Sequence, residues 1–377
     1  MLPLCAQGQY VRLFGDPSRT AFYVDLDHVW TYNLYEASRW GLGGKLTHEK
    51  KELEMYVGYG LRDRRWKWGV GAKVPLSKQG TLTFSARRDY DKAASRSLEG
   101  GSLTNPGSLS AFMTRRLCDN LSFRGGYSYK GDLSWTAEVV AWLGRRLFDG
   151  GGLLYLADGD TLVPEDGTML RLTMSDGRGL AAELRTGVTW PIGKPVARLV
   201  VQYDKNKRWQ GLTMGYYVQT GVAAPGSSYT QMFDLGGTYG SPICFNHALQ
   251  TALPNEFTAS LFVLGAVRLS TVRPLWDLQW KEVQIGTHPT PFVQLTAAWG
   301  GLWGQDSQGQ LFYEGLPLQA PNLGIAEPAA GVDGLVRWGL TDWGLAAAYR
   351  LTPAGASYNR QINKDNLTLL LTVKLIL

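Results

Sequence analysis

Histidine is the side chain best suited to acid–base work near neutral pH, and the chain holds four: His28, His48, His247 and His288. His28 stands beside Asp25 and Asp27, either of which has the chemistry to orient an imidazole. His247 follows Asn246 and lies close to Ser241. A hydrolytic triad needs nucleophile, base and orienting group within mutual hydrogen-bond reach. For His28 a rim histidine beside solvated acids is the simpler reading, and for His247 a packed or loop histidine. His48 falls in a Thr-His-Glu-Lys-Lys turn, and His288 precedes Pro289, which marks a strand bend. Asp158, Asp160, Glu165 and Asp166 read as an acidic loop. They lack the alternating ligands and central glycine of a calcium loop. Cys5, Cys118 and Cys244 are too few and too far apart for a disulfide framework or a zinc site. No phosphate-cradling glycine loop is present. The expectation is no catalytic residue, no cofactor and no metal.

The other chemistry-bearing residues are charges at two-residue spacing. Glu54, Lys67, Lys73, Arg87, Asp89, Arg124 and Glu138 mix both signs. They are expected to face a lumen, where they either line a water-filled pore or pair and plug it.

What positions them is alternation. Leu53, Met55, Val57, Tyr59 and Leu61 form one face, with Glu52, Glu54, Tyr56, Gly58 and Gly60 opposite. After Arg62–Arg65 come Trp66, Trp68, Val70, Ala72 and Val74, with Lys67, Gly69, Gly71 and Lys73 opposite. Leu121, Phe123, Tyr127 and Tyr129 repeat the pattern, as do Leu133 to Leu143 and Leu367 to Leu377. This is the period of a strand, not of a helix. Each unit is about ten residues long, enough to cross a bilayer at a tilt. Further strands are expected near 35–47, 81–91, 109–118, 169–175, 182–190, 195–204, 208–219, 229–240, 257–270 and 291–301, with no register assigned over 145–180. Turns rich in Gly, Asp and Asn are expected at 77–80, 119–120, 131–132 and 341–342, with Trp and Tyr clustered beside several of them.

Nothing in the 377 residues approaches an apolar run long enough for a membrane helix. A spanning segment would have to be part of a closed sheet, since lipid cannot satisfy open backbone groups. The expected fold is all-β, a transmembrane antiparallel β-barrel of about 16 strands, within a range of roughly 14 to 18. Residues 1–7 read as a signal-peptide remnant or tail, and 8–377 as one barrel. Longer connections are expected near 93–107, 157–167, 220–228, 302–332 and 353–365. The net charge of +6 is spread along the chain, without the basic stripe of a nucleic-acid surface. The expected partners are a lipid bilayer with its lipopolysaccharide and other outer-membrane proteins.

Tyr-Asn-Leu-Tyr-Glu-Ala-Ser-Arg-Trp-Gly-Leu-Gly-Gly (32–44) and Val-Gly-Tyr-Gly-Leu-Arg-Asp-Arg-Arg-Trp-Lys-Trp-Gly-Val-Gly-Ala (57–72) make up one distinctive run. Phe-Asn-His-Ala-Leu-Gln (245–250) and Pro-Asn-Glu-Phe (254–257) make up a second. On these the chain resembles the C-terminal barrel of Bacteroidota outer-membrane proteins of unknown function that often carry a carboxypeptidase-regulatory-like domain. The resemblance implies fold and compartment, the bacterial outer membrane, and no activity. Together these readings point to a non-enzymatic subunit of an outer-membrane assembly, export or uptake complex. A stand-alone pore for small solutes is the alternative, and a hydrolase using His28 or His247 a third.

Overall fold

The computed structural model describes residues 10–33, 36–92, 116–149, 160–161, 165–190, 193–224, 227, 231–235, 249, 258–301, 323–339, 341–351 and 367–375. Among them the regular structure is almost all β-strand, with a 3-10 turn at Leu26–His28. The chain divides into two compact units. One comprises Met1–Val201, Val222–Met232 and Gly304–Pro317; the other comprises Gln202–Gly221, Phe233–Trp303 and Leu318–Leu377.

In the first unit β1 (Tyr10–Asp16) pairs with β2 (Thr20–Asp25). β2 and β3 (Trp30–Asn33) both pair with β4 (Ala37–His48), in successive stretches of it. An antiparallel meander follows through β5 (Lys51–Gly60), β6 (Trp66–Pro75), β7 (Gly80–Lys92), β8 (Arg116–Tyr129) and β9 (Ser134–Asp149). The two-residue β10 (Asp160–Thr161) and β11 (Glu165–Ser175) both pair with β9, and β12 (Leu180–Trp190) pairs with β11. β13 (Pro195–Trp209) and β14 (Leu212–Ala223) follow in sequence, and the division between the units falls within them, with Gln202–Gly221 belonging to the second.

In the second unit β15 (Phe233–Asp234) pairs with β16 (Thr258–Ala259). β17 (Leu261–Thr271) pairs with β20 (Thr290–Gly301), and the connection between them carries the hairpin β18 (Leu278–Trp280)–β19 (Ile285–Thr287). β21 (Leu323–Trp338), β22 (Thr341–Tyr349) and β23 (Leu367–Leu375) complete an antiparallel meander. Six of the 23 segments are only two to four residues long.

Side-chain chemistry closes the short turns. Between β11 and β12 the Asp176 carboxylate accepts hydrogen bonds from the backbone N–H of Arg178 (2.8 Å) and of Leu180 (2.9 Å). The Arg178 bond is the main reason this carboxyl stays below its ordinary pKa. Between β6 and β7 the Ser77 hydroxyl accepts from Gly80 N–H at 2.8 Å.

β9 contains a bulge. Leu121 faces Leu143, but Asp119 faces Arg146, so β9 carries one extra residue there, and the same slip appears against β11. Gly144 takes a φ of +61°, the left-handed conformation that such a bulge needs. The Asp166 carboxylate secures it, accepting from Gly144 N–H at 2.6 Å.

Several sequence expectations change. Asp119-Asn120 is not a turn: it lies inside β8, where Tyr90 and Asp89 pair with it. The local turn signal is overridden by a long neighbouring strand. Residues 323–332, expected in the 302–332 loop, are strand. Glu327-Pro328-Ala329-Ala330-Gly331 is a poor strand sequence, and it is held by pairing along β20. Glu165 and Asp166, expected in an acidic loop, begin β11. Within 145–180, given no register, Gly167–Ser175 pair without a break with Trp142–Ser134 of β9. Of the strand expected at 229–240, Phe233–Asp234 is strand and 236–240 lie outside the described residues. Residues 1–7, 93–107, 302–322 and 353–365 also lie outside them.

The two faces of the strands exchange their usual roles. In the first unit Met55, Val57, Val70, Phe84, Phe123, Val139 and Leu170 are exposed, while Arg39, Lys67, Asp89, Arg171, Glu183 and Arg185 are buried. In the second unit Val263, Val267, Val293, Leu295, Leu345 and Leu369 are exposed, while Arg268, Gln294, Thr296, Glu327 and Arg350 are buried. A sheet folded for water does the opposite.

Candidate functional site: the polar face of the strands

Pairing register puts all seven charged residues singled out in the sequence on one face of the first unit. Glu54, Gly71, Ser85 and Arg124 are successive cross-strand partners. One step along the strands the row is Glu52, Lys73, Thr83, Gly126, Glu138, Arg171 and Arg185. One step the other way from Glu54 the row is Gly43, Tyr56, Gly69, Arg87, Ser122, Trp142 and Gly167. Lys67 and Asp89 lie beyond it on the same strands.

Five of the seven, Glu54, Lys73, Asp89, Lys67 and Glu138, fall in three clusters. In the first, the Lys73 ammonium lies 3.2 Å from both Glu52 and Glu54, and Lys45 lies 3.2 Å from Glu52. These groups are part-exposed, so each pair is worth little by itself. In the second, Arg39 donates to Asp89 at 2.7 Å and to the Thr31 hydroxyl at 2.9 Å, while the Tyr56 hydroxyl donates to the other Asp89 oxygen at 2.6 Å. Lys67, fully buried, reaches Asp119 at 3.1 Å and lies 3.8 Å over the Tyr90 ring. In the third, Arg171 bridges Glu138 (2.8 Å) and Glu183 (2.9 Å), and Glu183 also accepts from Arg185 at 2.8 Å. Buried pairs of this kind cost desolvation and hold only with good geometry. A cavity of about 330 Å³ lies along this face, with Glu54, Lys73, Arg124, Glu138 and Arg171 among its lining.

Glycine makes room for the larger members of a row. A Cβ on Gly69 would sit 2.3 Å from the Tyr56 ring, and one on Gly167 would sit 2.3 Å from the Trp142 ring. Trp142 packs with Val140, Met169 and Val196 in a small apolar core on this otherwise polar side. Glu36, in the turn before β4, is buried with its carboxylate 3.7 Å from Arg39. Burial pushes its carboxyl up to about 7, and the Arg39 charge opposes that rise.

The histidines divide. His28, in the turn between β2 and β3, stacks on Tyr56 at 4.0 Å and lies 3.5 Å from Asp25. His48 shares a 2.7 Å hydrogen bond with the Thr20 hydroxyl. In the second unit His288 Nε2 sits 3.0 Å from both the Asp342 carboxylate and the Arg337 guanidinium. His247, Ser241 and Asn246 lie outside the described residues, as do Asp158 and the side chain of Asp160. The second unit has its own buried ion pair, Arg268 with Asp333.

Sequence reasoning missed Arg39, Asp119, Arg171, Glu183 and Arg185. Extending the alternation into β4 would have found Arg39. The last three required the cross-strand register of β9 to β12, which alternation within one strand does not supply.

No family model and no curated protein matches the chain. Among solved structures it is similar to CdiB from Escherichia coli, at 13% identity and a TM-score of 0.44, over 96% of this chain and 63% of that one. It is also similar to CdiB from Acinetobacter baumannii, at 10% identity and a TM-score of 0.48, over 94% of this chain and 57% of that one. The chain thus spans less than two thirds of the length of either structure.

Proposed function

We propose that the chain is an integral β-barrel of the bacterial outer membrane and a non-enzymatic subunit of an assembly, export or uptake complex there. The observation that carries the membrane reading is the exchange of faces: charges buried, Leu, Val and Phe exposed, strand after strand. In water so much contiguous apolar surface is an aggregation hazard. Against acyl chains it is the expected outer wall. Lipid leaves no sheet edge satisfied, so such a wall has to close on itself. The resemblance carried by residues 32–44 and 57–72 belongs to this reading.

Two features support a scaffold within a complex. The buried charges of the first unit hold one another in pairs across strands, which ties the wall together. In the second unit Phe233 and Leu235 lie against the buried-face positions Gly221 and Gly300, so part of the connection between β14 and β16 rests on the polar side of the strands. The bilayer, its lipopolysaccharide and other outer-membrane proteins are the partners this reading implies. Tagged purification from native outer membrane in mild detergent tests it, with composition read by native gel and mass spectrometry. A stoichiometric companion is expected. A lone monomer in every detergent overturns the subunit role.

The mixed-charge cavity beside Glu54, Lys73 and Glu138 favours a second reading, a pore for small solutes. Steady conductance in planar bilayers is its signature, and a silent bilayer removes it.

A further inference from the structure

The connection between β17 and β20 holds a group of exposed aromatic and aliphatic side chains: Leu275, Trp276, Leu278, Trp280, Val283 and Ile285. Its β18–β19 hairpin is firmly attached to the sheet. Ile285 pairs with Trp338 and Gly286 with Arg337, so β19 adds to the end of β21. Gly339 N–H donates to the Gln284 carbonyl at 2.9 Å, Leu275 N–H to the Pro289 carbonyl at 2.8 Å, and the Thr287 hydroxyl to the Leu335 carbonyl at 2.9 Å.

Register then assigns the hairpin two sides. Trp280, Ile285 and Trp338 are successive cross-strand partners and share one face, with Leu278 two residues from Trp280 on the same side. Val336 stands two residues from Trp338, and both are exposed. Gln279, Gly286 and Arg337 form the opposite row, and Arg337 meets His288 and Asp342 there. The hairpin therefore keeps the sidedness of the strands, with its apolar side chains on one exposed side and, opposite, Gly286 buried, Arg337 part-buried and Gln279 exposed. Charged Arg273, Asp277, Lys281 and Glu282 punctuate its chain. Tryptophan with an apolar body and a polar N–H, flanked by charges, is the composition of a membrane–water boundary.

We infer that the hairpin spanning residues 273–287 is an interfacial foot, seating Leu278, Trp280 and Ile285 at the boundary between lipid headgroups and acyl chains, continuous with the face of Val336 and Trp338. This rests on the reading of the chain as a membrane barrel. Continuity of register with an acyl-facing strand end favours lipid over a soluble protein as the occupant. A protein partner would need no such continuity.

Full-length protein in phosphatidylcholine vesicles tests the foot. The lipid carries bromine either near the headgroup end or near the tail end of the acyl chain. The emission lost on Trp276→Phe plus Trp280→Phe is taken as the hairpin signal. Both changes are at exposed positions; if the pair does not fold, Trp280→Tyr alone supplies the same difference. The expected result is strong loss of the hairpin signal with shallow bromine and weaker loss with deep bromine. A hairpin signal untouched by either lipid, while the remaining tryptophans are quenched, overturns the foot and leaves the barrel standing. Stronger quenching by deep bromine also overturns it. If no tryptophan is quenched by either lipid, the membrane reading falls and the foot with it.

Discussion

Arg171 and Arg185 are direct cross-strand partners, two guanidinium groups facing each other on the buried side of neighbouring strands. Like charges in that position repel. The arrangement stands because Glu183, two residues from Arg185, gives one oxygen to each: Oε2 accepts from Arg171 and Oε1 from Arg185. Glu138 adds a second anion on the far side of Arg171. One carboxylate thus joins two strands that would otherwise push apart.

Glu183→Gln should be among the most damaging single changes in the first unit. It removes the charge shared by two buried cations. Breaking such a pair costs about 3 to 5 kcal/mol. Urea titration of the folded protein in vesicles measures it, and a shift below about 1 kcal/mol would mean that water or the other anions already screen the arginines.

Gly167→Ala and Gly71→Ala separate packing from glycine's backbone freedom. A Cβ at 167 falls 2.3 Å from the Trp142 ring, whereas one at 71 finds only ordinary contacts at 3.7 Å. The first should lose about 1 to 3 kcal/mol through overpacking. The second should be neutral or slightly stabilising. Equal effects at both positions would contradict the assigned slot beneath Trp142.

Leu295→Arg asks which solvent the exposed face meets. Leu295 lies in the middle of β20 and is half exposed. Facing acyl chains, arginine there should cost about 2 to 4 kcal/mol. Facing water, it should cost almost nothing. Denaturation in vesicles distinguishes the two, and a neutral result removes the membrane reading.

Glu36 gives stability a pH dependence of definite sign. Its folded carboxyl is pushed up from 4.5 to about 7, so the folded protein binds the proton more tightly than the unfolded chain. That contribution is complete below the unfolded value and is lost as pH rises through about 7. Glu36→Gln should flatten the stability profile across this window. An unchanged slope in the variant assigns the effect to another group.

The architecture was legible wherever alternation ran unbroken. Met55 to Tyr59 and Trp66 to Val70 state their faces residue by residue, and the seven charges fall on one side as their spacing requires. Which side faces solvent was not legible, because a period of two is symmetric. The first part of β21, residues 323–332, escaped notice because Pro328, Gly331 and its alanines weaken the pattern, and only pairing with β20 and β22 supplies the strand there. Glu183 and Arg185 were out of reach because partners across strands depend on register, which the spacing within one strand does not state.

The bulge at Gly144 sets a reading frame for β9. Backbone pairing before it and after it stays in step only because one extra residue is absorbed at that point. Changing a side chain nearby alters one contact. Deleting one residue shifts the phase of everything from Arg145 to Asp149 against both neighbours at once. This stretch should therefore vary more freely in composition than in length, and an aligned relative with a one-residue gap here would have to move the glycine as well.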